Sequence, residues 1–292
     1  MALNDELRAA IRKRGAAVDA NADWLFDRLQ GMADDLGREV RNLVGARGDD
    51  AAVRARILSV RLDDVLDVLD DAGLGAVREG WIARHRLVAQ ASAEAARGAG
   101  LVNDADAALD QEALRIAMVE QLERTDVTFW EGRIERPSAY NILEQLHRQA
   151  LAGTLEDAAD QIAAQFEIDA GQARTLAVTE QAIYDRFVSE ELAQEAGGDT
   201  LRGYVGPLDG ITRPFCQALA GKAFDVGQVA SLDNGQIGGR GGPIHSGGGY
   251  NCRHGWVTVH PDDVADLGFV RGTGQDVTAA NGAAGAGRKK GP

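Results

Sequence analysis

The chain has 292 residues, of which 45% are hydrophobic, and a formal net charge of −14. This length can bury a substantial core and allows one or two domains. The acidic balance argues against broad non-specific binding of DNA or of an anionic membrane. No apolar run approaches the roughly 20 residues of a membrane span, and we expect no signal peptide. Two cysteines are too few for a disulfide framework, so synthesis in a reducing cytosol is expected.

The first 195 residues show apolar side chains at spacings of three and four, which predicts a series of amphipathic helices. The clearest stripe consists of Leu25, Leu29, Met32, Leu36, Val40 and Leu43. A second stripe, Leu58, Leu62, Val65 and Leu69, has Asp63, Asp64, Asp67, Asp70 and Asp71 on its other side. Such helices could form a bundle or protrude as coiled-coil arms, and a bundle is the plainer expectation. We assign residues 1–136 to a helical docking or bundle region and residues 137–196, which begin at Pro137, to a helical connector.

Beyond Gly197 the pattern changes to short mixed segments. Strands are predicted at Leu201–Val205 and Trp256–Val259, within a compact α/β domain over residues 197–271. The Gly- and Ala-rich residues 272–292 predict a flexible tail. The expected fold class is therefore α+β, with a long, mainly helical N-terminal region followed by a small, mixed, loop-rich C-terminal domain.

One constellation in the C-terminal domain has the character of metal ligands. It consists of Cys216, His245, Cys252 and His254, and it contains both cysteines of the chain. Cys252 and His254 lie two residues apart, so on a strand their side chains would face the same way. Two sulfur and two imidazole ligands suit a structural zinc ion, although the spacing is not that of a zinc finger. A buried pair of free cysteines and a Cys216–Cys252 disulfide are the alternatives.

A Pro- and Gly-bounded turn precedes Cys216 and contains Asp209, Thr212 and Arg213. An Asp and an Arg this close could form a buried ion pair that orders the turn, or could line a polar pocket. We expect structural support from the turn. Glu180, within a predicted helix, could pair with a basic group of the C-terminal domain or be solvated.

Signatures of common enzymes are missing from the sequence. There is no Gly-x-Ser-x-Gly, no Cys with a clear His-Asn pair, no Walker loop and no dinucleotide fingerprint. The segment Gly238–Gly242 is rich in glycine but predicts a loop, since it neither follows a clear strand nor opens a helix. We therefore predict no catalytic residue.

Five short blocks follow one another along the chain: Thr179-Glu180, Asp209-Gly-Ile-Thr-Arg-Pro-Phe-Cys216, Gly221-Lys-Ala-Phe224, Pro243-Ile-His245 and Asn251-Cys-Arg-His254. Their order resembles that of the Mu F-like, or head-morphogenesis, minor head proteins of tailed bacteriophages. The resemblance covers about residues 140–260. The chain departs from the commoner pattern in having Val178 where many members have arginine, and His254 where many have a second cysteine.

The resemblance implies a low-copy virion protein, made in the host cytoplasm and incorporated in the head near the portal vertex. It implies a role in head assembly and in genome packaging or ejection. The implied partners are the portal protein and the major capsid or scaffold protein. Contact with packaged DNA through the basic residues Arg288, Lys289 and Lys290 is a separate hypothesis, which the net charge disfavours, and we expect no membrane partner. The alternative is an enzyme of ADP-ribosyltransferase or toxin type that uses the C-terminal Cys/His site, because related domains are sometimes fused to such modules.

Overall fold

The computed structural model describes residues 4–44, 51–152, 154, 157–197, 199–236 and 242–287. Its helices are α1 (Asp5–Val44), α2 (Ala51–Ile57), α3 (Leu62–Asp71), α4 (Leu74–Gly98), α5 (Ala105–Leu109), α6 (Glu112–Thr125), a π-helix (Asp126–Glu135), α7 (Arg136–Ala152), α8 (Ala158–Ala196), α9 (Pro214–Leu219), α10 (Val226–Ala230), α11 (Pro243–Ser246) and α12 (Gly274–Gly287), with a 3₁₀ turn at Pro261–Asp263. A mainly helical N-terminal region thus precedes a small mixed domain, as predicted. Within the described residues, no helix combines the length and the hydrophobicity needed to cross a membrane.

The sheet has four strands in the order β3-β1-β2-β4. The strands are β1 (Leu201–Val205), β2 (Lys222–Phe224), β3 (Gly255–Val259) and β4 (Val270–Arg271). The central strand β1 pairs antiparallel with both β2 and β3, and β2 pairs parallel with the short edge strand β4. Every residue of β1 and β3 is buried, so both faces of the sheet are covered. Both predicted strands are confirmed, and β3 begins one residue earlier than predicted.

The chain folds into two compact units, and the unit with the sheet combines residues 1–21, 84–121 and 178–292. One face of its sheet carries Tyr204, Phe224 and Trp256, packed with α9 and α12. The other face carries Leu201, Val205, Ala223, Val257 and Val259, packed with Leu7 of α1 and Ala99 just after α4. The start of the chain is therefore part of the sheet domain, whereas the linear partition predicted it in a separate docking region.

The second unit, residues 22–83 and 122–177, is helical throughout its described residues apart from short turns. Its core includes Trp81, whose ring centroid lies 4.5 Å from that of Phe129 and 6.1 Å from that of Trp130. The predicted stripe from Leu25 to Leu43 is buried in the folded chain except for Leu43, which is half-buried. That burial is what a bundle requires.

Pro137, where the predicted helical connector begins, does not interrupt the helical path. It is the second residue of α7, and the ten residues before α7 form the π-helix. Proline lacks the N–H that a regular helical hydrogen bond needs. In the wider π pattern the Arg136 N–H donates to the Glu131 carbonyl, and the helical path continues through the proline.

The predicted flexible tail is instead ordered as helix α12 over most of its length. Val277 and Ala280, three residues apart, are buried in the same core cluster as Phe224 and Trp256. This burial offsets the poor helix propensity of a Gly-rich segment. Arg288, Lys289 and Lys290, the predicted DNA contacts, lie outside the described residues.

The start of α12 depends on a single carboxylate, that of Asp276. It accepts hydrogen bonds from the Thr273 N–H at 2.9 Å and hydroxyl at 2.7 Å, and from Lys222 Nζ at 2.7 Å. The Lys222 and Thr273 hydrogen bonds lower the pKa of Asp276 to about 2, from an ordinary value near 3.8. Its contribution to stability is therefore complete above the ordinary pKa, and is lost as the pH falls from there through about 2.

We expect Asp276→Asn to lower the free energy of unfolding at neutral pH by about 1 kcal/mol, as loss of a helix cap does. The difference from the wild-type protein should shrink as the pH falls from 4 towards 2, as followed by urea unfolding at a series of pH values. Asp262→Asn, which alters an exposed carboxylate, is the control. An Asp276→Asn effect that stays constant down to pH 2 would contradict this assignment.

Candidate metal centre and adjoining cavity

Cys216, Cys252 and His254 form a buried cluster in the sheet-containing unit. Cys216 lies in α9, whereas the other two lie in the loop before β3. The two sulfur atoms are 3.8 Å apart and belong to free thiols, so no disulfide joins them. A ring nitrogen of His254 and both sulfurs all lie within 4.8 Å of one another. The cluster could therefore hold a metal ion through two sulfur ligands and one nitrogen ligand.

The loop that carries Cys252 is shaped by a glycine and by a left-handed asparagine. A side chain on Gly248 would collide with the sulfur of Cys216 and would lie 3.1 Å from that of Cys252. The Gly248 N–H donates to the Cys252 sulfur over 3.1 Å. Asn251 has a φ of 52°, and its N–H donates to the Thr179 hydroxyl oxygen over 2.9 Å. Gly248 thus permits the approach of the two sulfurs, and Thr179 anchors the loop to α8.

Arg186 of α8 holds the backbone around the cluster. Its buried guanidinium donates to the carbonyls of His245, Cys252 and His254 at distances from 2.6 to 3.0 Å. A Cβ at Gly247 would lie only 2.8 Å from the guanidinium carbon, so this approach requires glycine. Arg186 therefore fixes the backbone that presents both ligands of the loop.

The ring of His254 is fixed by packing and carries an unsatisfied nitrogen. It stacks on Tyr204, with ring centroids 5.4 Å apart and an interplanar angle of 12°. A Cβ on Gly206 would lie 2.5 Å from its Cγ, so glycine is needed there too. Nε2 is buried and makes no hydrogen bond to any described residue. Because an unpaired buried polar atom is costly, and two sulfurs with one imidazole suit zinc, the residues fit a metal site.

The pKa values of the two thiols are shifted in opposite directions. The hydrogen bond from Cys216, supported by His254 and by the charge of Arg186, holds the pKa of Cys252 well below its ordinary value despite burial. The same hydrogen bond and burial raise the pKa of Cys216. Cys252 is therefore the first of the pair to ionise, and the thiolate is the form that binds metals.

His245, the fourth predicted ligand, lies outside this cluster. It belongs to α11, and its ring centroid is 6.1 Å from that of Phe187. Its backbone carbonyl, which accepts a hydrogen bond from Arg186 over 3.0 Å, is the group that takes part in the site. Among the described residues, three of the four predicted side chains lie close enough together to hold a metal ion.

The predicted supporting turn forms, but with a different ion pair. Asp209 accepts a hydrogen bond from the Thr212 hydroxyl over 2.9 Å, which orders the turn. Its ionic partner is Arg253, at 2.8 Å, and this contact holds the pKa of Asp209 below its ordinary value. Arg213 instead donates to the Tyr250 carbonyl over 2.5 Å. The Asp209–Arg253 pair is partly exposed, and it links the turn to the loop that carries Cys252 and His254.

Glu180, the remaining predicted support, is buried in α8 and is not solvated. It follows Thr179 directly, so the Thr-Glu block lies beside the anchored loop. Its burial rules out the solvated alternative.

The largest polar feature missed by sequence reasoning is a buried ion pair between Arg14 and Asp185. The Arg14 guanidinium donates through two nitrogens to the Asp185 carboxylate and through the third to the Trp256 carbonyl, at 2.6 Å. The Ser92 hydroxyl donates to the same carboxylate over 2.7 Å. A second buried pair joins Glu190 to Arg202 in β1. The signal in the sequence was Asp185, a charged residue within an otherwise largely apolar segment of the helix that became α8.

A cavity of about 610 Å³ lies beside the cluster in the same unit. Cys252 and His254 form part of its wall, while Cys216 does not. The remaining wall comes from α1, from α8, from the end of β1 with the turn after it, and from Arg253 and Gly255. This volume is within the range of small-molecule sites.

The approach of the two sulfurs can be tested at Gly248. We expect Gly248→Ala to lower the free energy of unfolding by about 1–3 kcal/mol, because the added methyl overpacks the cluster. Gly210→Ala is the matched control, since a Cβ there meets nothing within 4 Å. Urea unfolding measures both variants, and equal midpoints would show that the cluster is looser than described.

Comparison with protein-family models, with curated proteins and with solved structures gave no match to this chain.

Proposed function

We propose that this protein is a minor head protein of a tailed bacteriophage. It would be a low-copy virion component, located near the portal vertex, that acts in head assembly and in genome packaging or ejection. The observation that supports this proposal is that three of the five blocks of the resemblance contact one another within one compact unit. Thr179 binds Asn251, Cys216 meets Cys252, and the turn at Asp209 binds the arginine of the last block. The contact between Thr179 and Asn251 joins two blocks that lie 72 residues apart in the sequence.

In this proposal the Cys/His cluster is a structural zinc site and has no catalytic role. Cys216, Cys252 and His254 would hold the ion, which ties α9 to the loop before β3. When bound, zinc supplies folding free energy to a loop-rich domain. This role requires both sulfur ligands to be deprotonated. The hydrogen bond from Cys216 favours the thiolate of Cys252, and the bound ion would displace the proton of Cys216.

We place the surface that binds the portal or capsid partner on the exposed acidic face of helix α3. Asp63, Asp67 and Asp71 recur at intervals of four residues, and all three are exposed. This spacing puts three carboxylates on one helical face. Such a face suits docking to a basic patch of a portal or capsid subunit and repels packaged DNA.

Co-expression with the portal subunit of the same phage tests the proposal. We expect a tagged chain to copurify with the portal assembly and to be found in purified heads at low copy number. The triple variant Asp63→Asn, Asp67→Asn, Asp71→Asn should lose copurification. The control triple variant Glu112→Gln, Glu120→Gln, Glu123→Gln removes the same charge from exposed positions elsewhere and should retain it. A chain found only free in the cytosol, without portal or capsid protein, would refute the assembly role.

The enzyme alternative is favoured by one observation, the cavity that reaches Cys252 and His254. It requires turnover that depends on Cys252. We expect no consumption of NAD by the purified chain. NAD turnover that Cys252→Ser abolishes without loss of stability would replace the assembly proposal with the enzymatic one.

A further inference from the structure

The cavity beside the Cys/His cluster is lined by charged as well as apolar side chains. Its wall contains four arginines and two aspartates. Three of the arginines have acidic partners: Arg14 is paired with Asp185, Arg253 with Asp209, and Arg8 with Asp5 at 3.5 Å. The fourth arginine, Arg12, is the one on which an anion could act.

One of these arginines is available to a ligand. Arg12 makes no hydrogen bond or ion pair with any described residue, and it is exposed on α1. Arg253 is held by Asp209 at 2.8 Å, so its position is fixed. A guanidinium matches the two-oxygen geometry of a carboxylate or a phosphate.

The rest of the wall is largely apolar. Ile11 and Val18 from α1, Val178 and Ala182 from α8, and Val205 from β1 all face this cavity. A hydrophobic wall with a few charged groups is the usual composition of a small-molecule site. The volume of about 610 Å³ accommodates a ring system with substituents.

We propose that this cavity is a binding site for a small organic anion, with an apolar body and one carboxylate or phosphate group. The apolar body lies against the wall from α1 and α8, and the anionic group binds Arg12 with the support of Arg253. The site goes beyond the assembly role and does not depend on it, because all of its residues lie within one unit.

Gly15 gives a way to block the site without disturbing the fold. It lies in α1 on the cavity wall, and a Cβ there meets nothing within 4 Å. Gly15→Leu therefore adds a side chain in open space and replaces glycine with a better helix former. Gly31→Leu is the matched control, because Gly31 is also in α1, also has no atom within 4 Å of its Cβ, and does not line the cavity.

The test is calorimetric titration of the full chain with benzoate, phenyl phosphate and benzylamine, which share a ring and differ in charge. We expect at least one of the two anions to bind at least tenfold tighter than benzylamine, and which of them binds distinguishes a carboxylate from a phosphate ligand. Gly15→Leu should abolish this binding and Gly31→Leu should retain it. Arg12→Gln should weaken it roughly tenfold, since a charge-assisted hydrogen bond is lost, while Arg41→Gln should not.

Three results would overturn the proposal. The first is an absence of anion binding at millimolar concentrations. The second is benzylamine binding as tight as that of the anions. The third is anion binding that Gly15→Leu leaves unchanged, because the anion would then bind elsewhere on the chain.

Discussion

Asp185→Ala should destabilise the sheet-containing unit by about 3–5 kcal/mol, the loss expected when one partner of a buried ion pair is removed. Arg14 and Asp185 have side chains only 5% and 7% exposed. Without the carboxylate, the Arg14 guanidinium would remain buried with a carbonyl as its remaining partner, and the Ser92 hydroxyl would lose its contact. Urea unfolding of the purified chain measures the loss.

Two further variants decide whether the unpaired charge is the cause. The double variant Asp185→Ala, Arg14→Met replaces both charges with apolar groups and should be more stable than Asp185→Ala alone. Glu144→Ala breaks a pair with Arg148 in which both side chains are 69% exposed, and should cost only about 0.3–0.5 kcal/mol. If Asp185→Ala cost no more than Glu144→Ala, the ion pair would not be a stabilising element of this unit.

Zinc should stabilise the chelator-treated protein by about 4 kcal/mol when free zinc exceeds its dissociation constant a thousandfold. The reason is that the ligands Cys216, Cys252 and His254 come together only in the folded chain. Thermal unfolding with and without zinc measures the shift, and elemental analysis gives the stoichiometry. Cys216→Ser and His254→Ala should each remove most of the shift.

His245→Ala provides the control for the zinc experiment. Its ring lies outside the cluster, so the zinc shift should be retained. Loss of the shift in His245→Ala would restore the four-ligand site expected from the sequence. Absence of stoichiometric zinc, together with free alkylation of both cysteines in the native protein, would refute the metal site.

The parts of the structure that were predictable are those set by local patterns. Periodic apolar residues predicted the helices. The change to short mixed segments after Gly197 predicted the strands β1 and β3. The spacing of Cys252 and His254 predicted one shared site on the expectation of a strand. The two residues lie in the loop before β3 instead, and the structure still brings them together with Cys216. For the helices and strands, a few neighbouring residues carry the information.

The parts that were not predictable depend on contacts between distant residues. Arg14 and Asp185 are 171 positions apart, and no local pattern links two charges within separate helices. Helix α12 has a Gly- and Ala-rich composition with little amphipathic character, so only its packing against α9 and the sheet explains its order. His245 was placed in the wrong role because sequence reasoning cannot separate a ring ligand from a backbone carbonyl acceptor.

The packing of α1 against the sheet has a consequence for biosynthesis. Arg14 and Trp256, whose carbonyl it binds, are 242 residues apart, so the ribosome adds Arg14 long before it adds Trp256. At typical elongation rates this delay is roughly 10–50 s. During that time the apolar and charged groups of the first helix have no sheet to pack against. The sheet-containing unit is thus completed only after the strands near residues 255–271 have been synthesised, and the first helix must remain soluble until then.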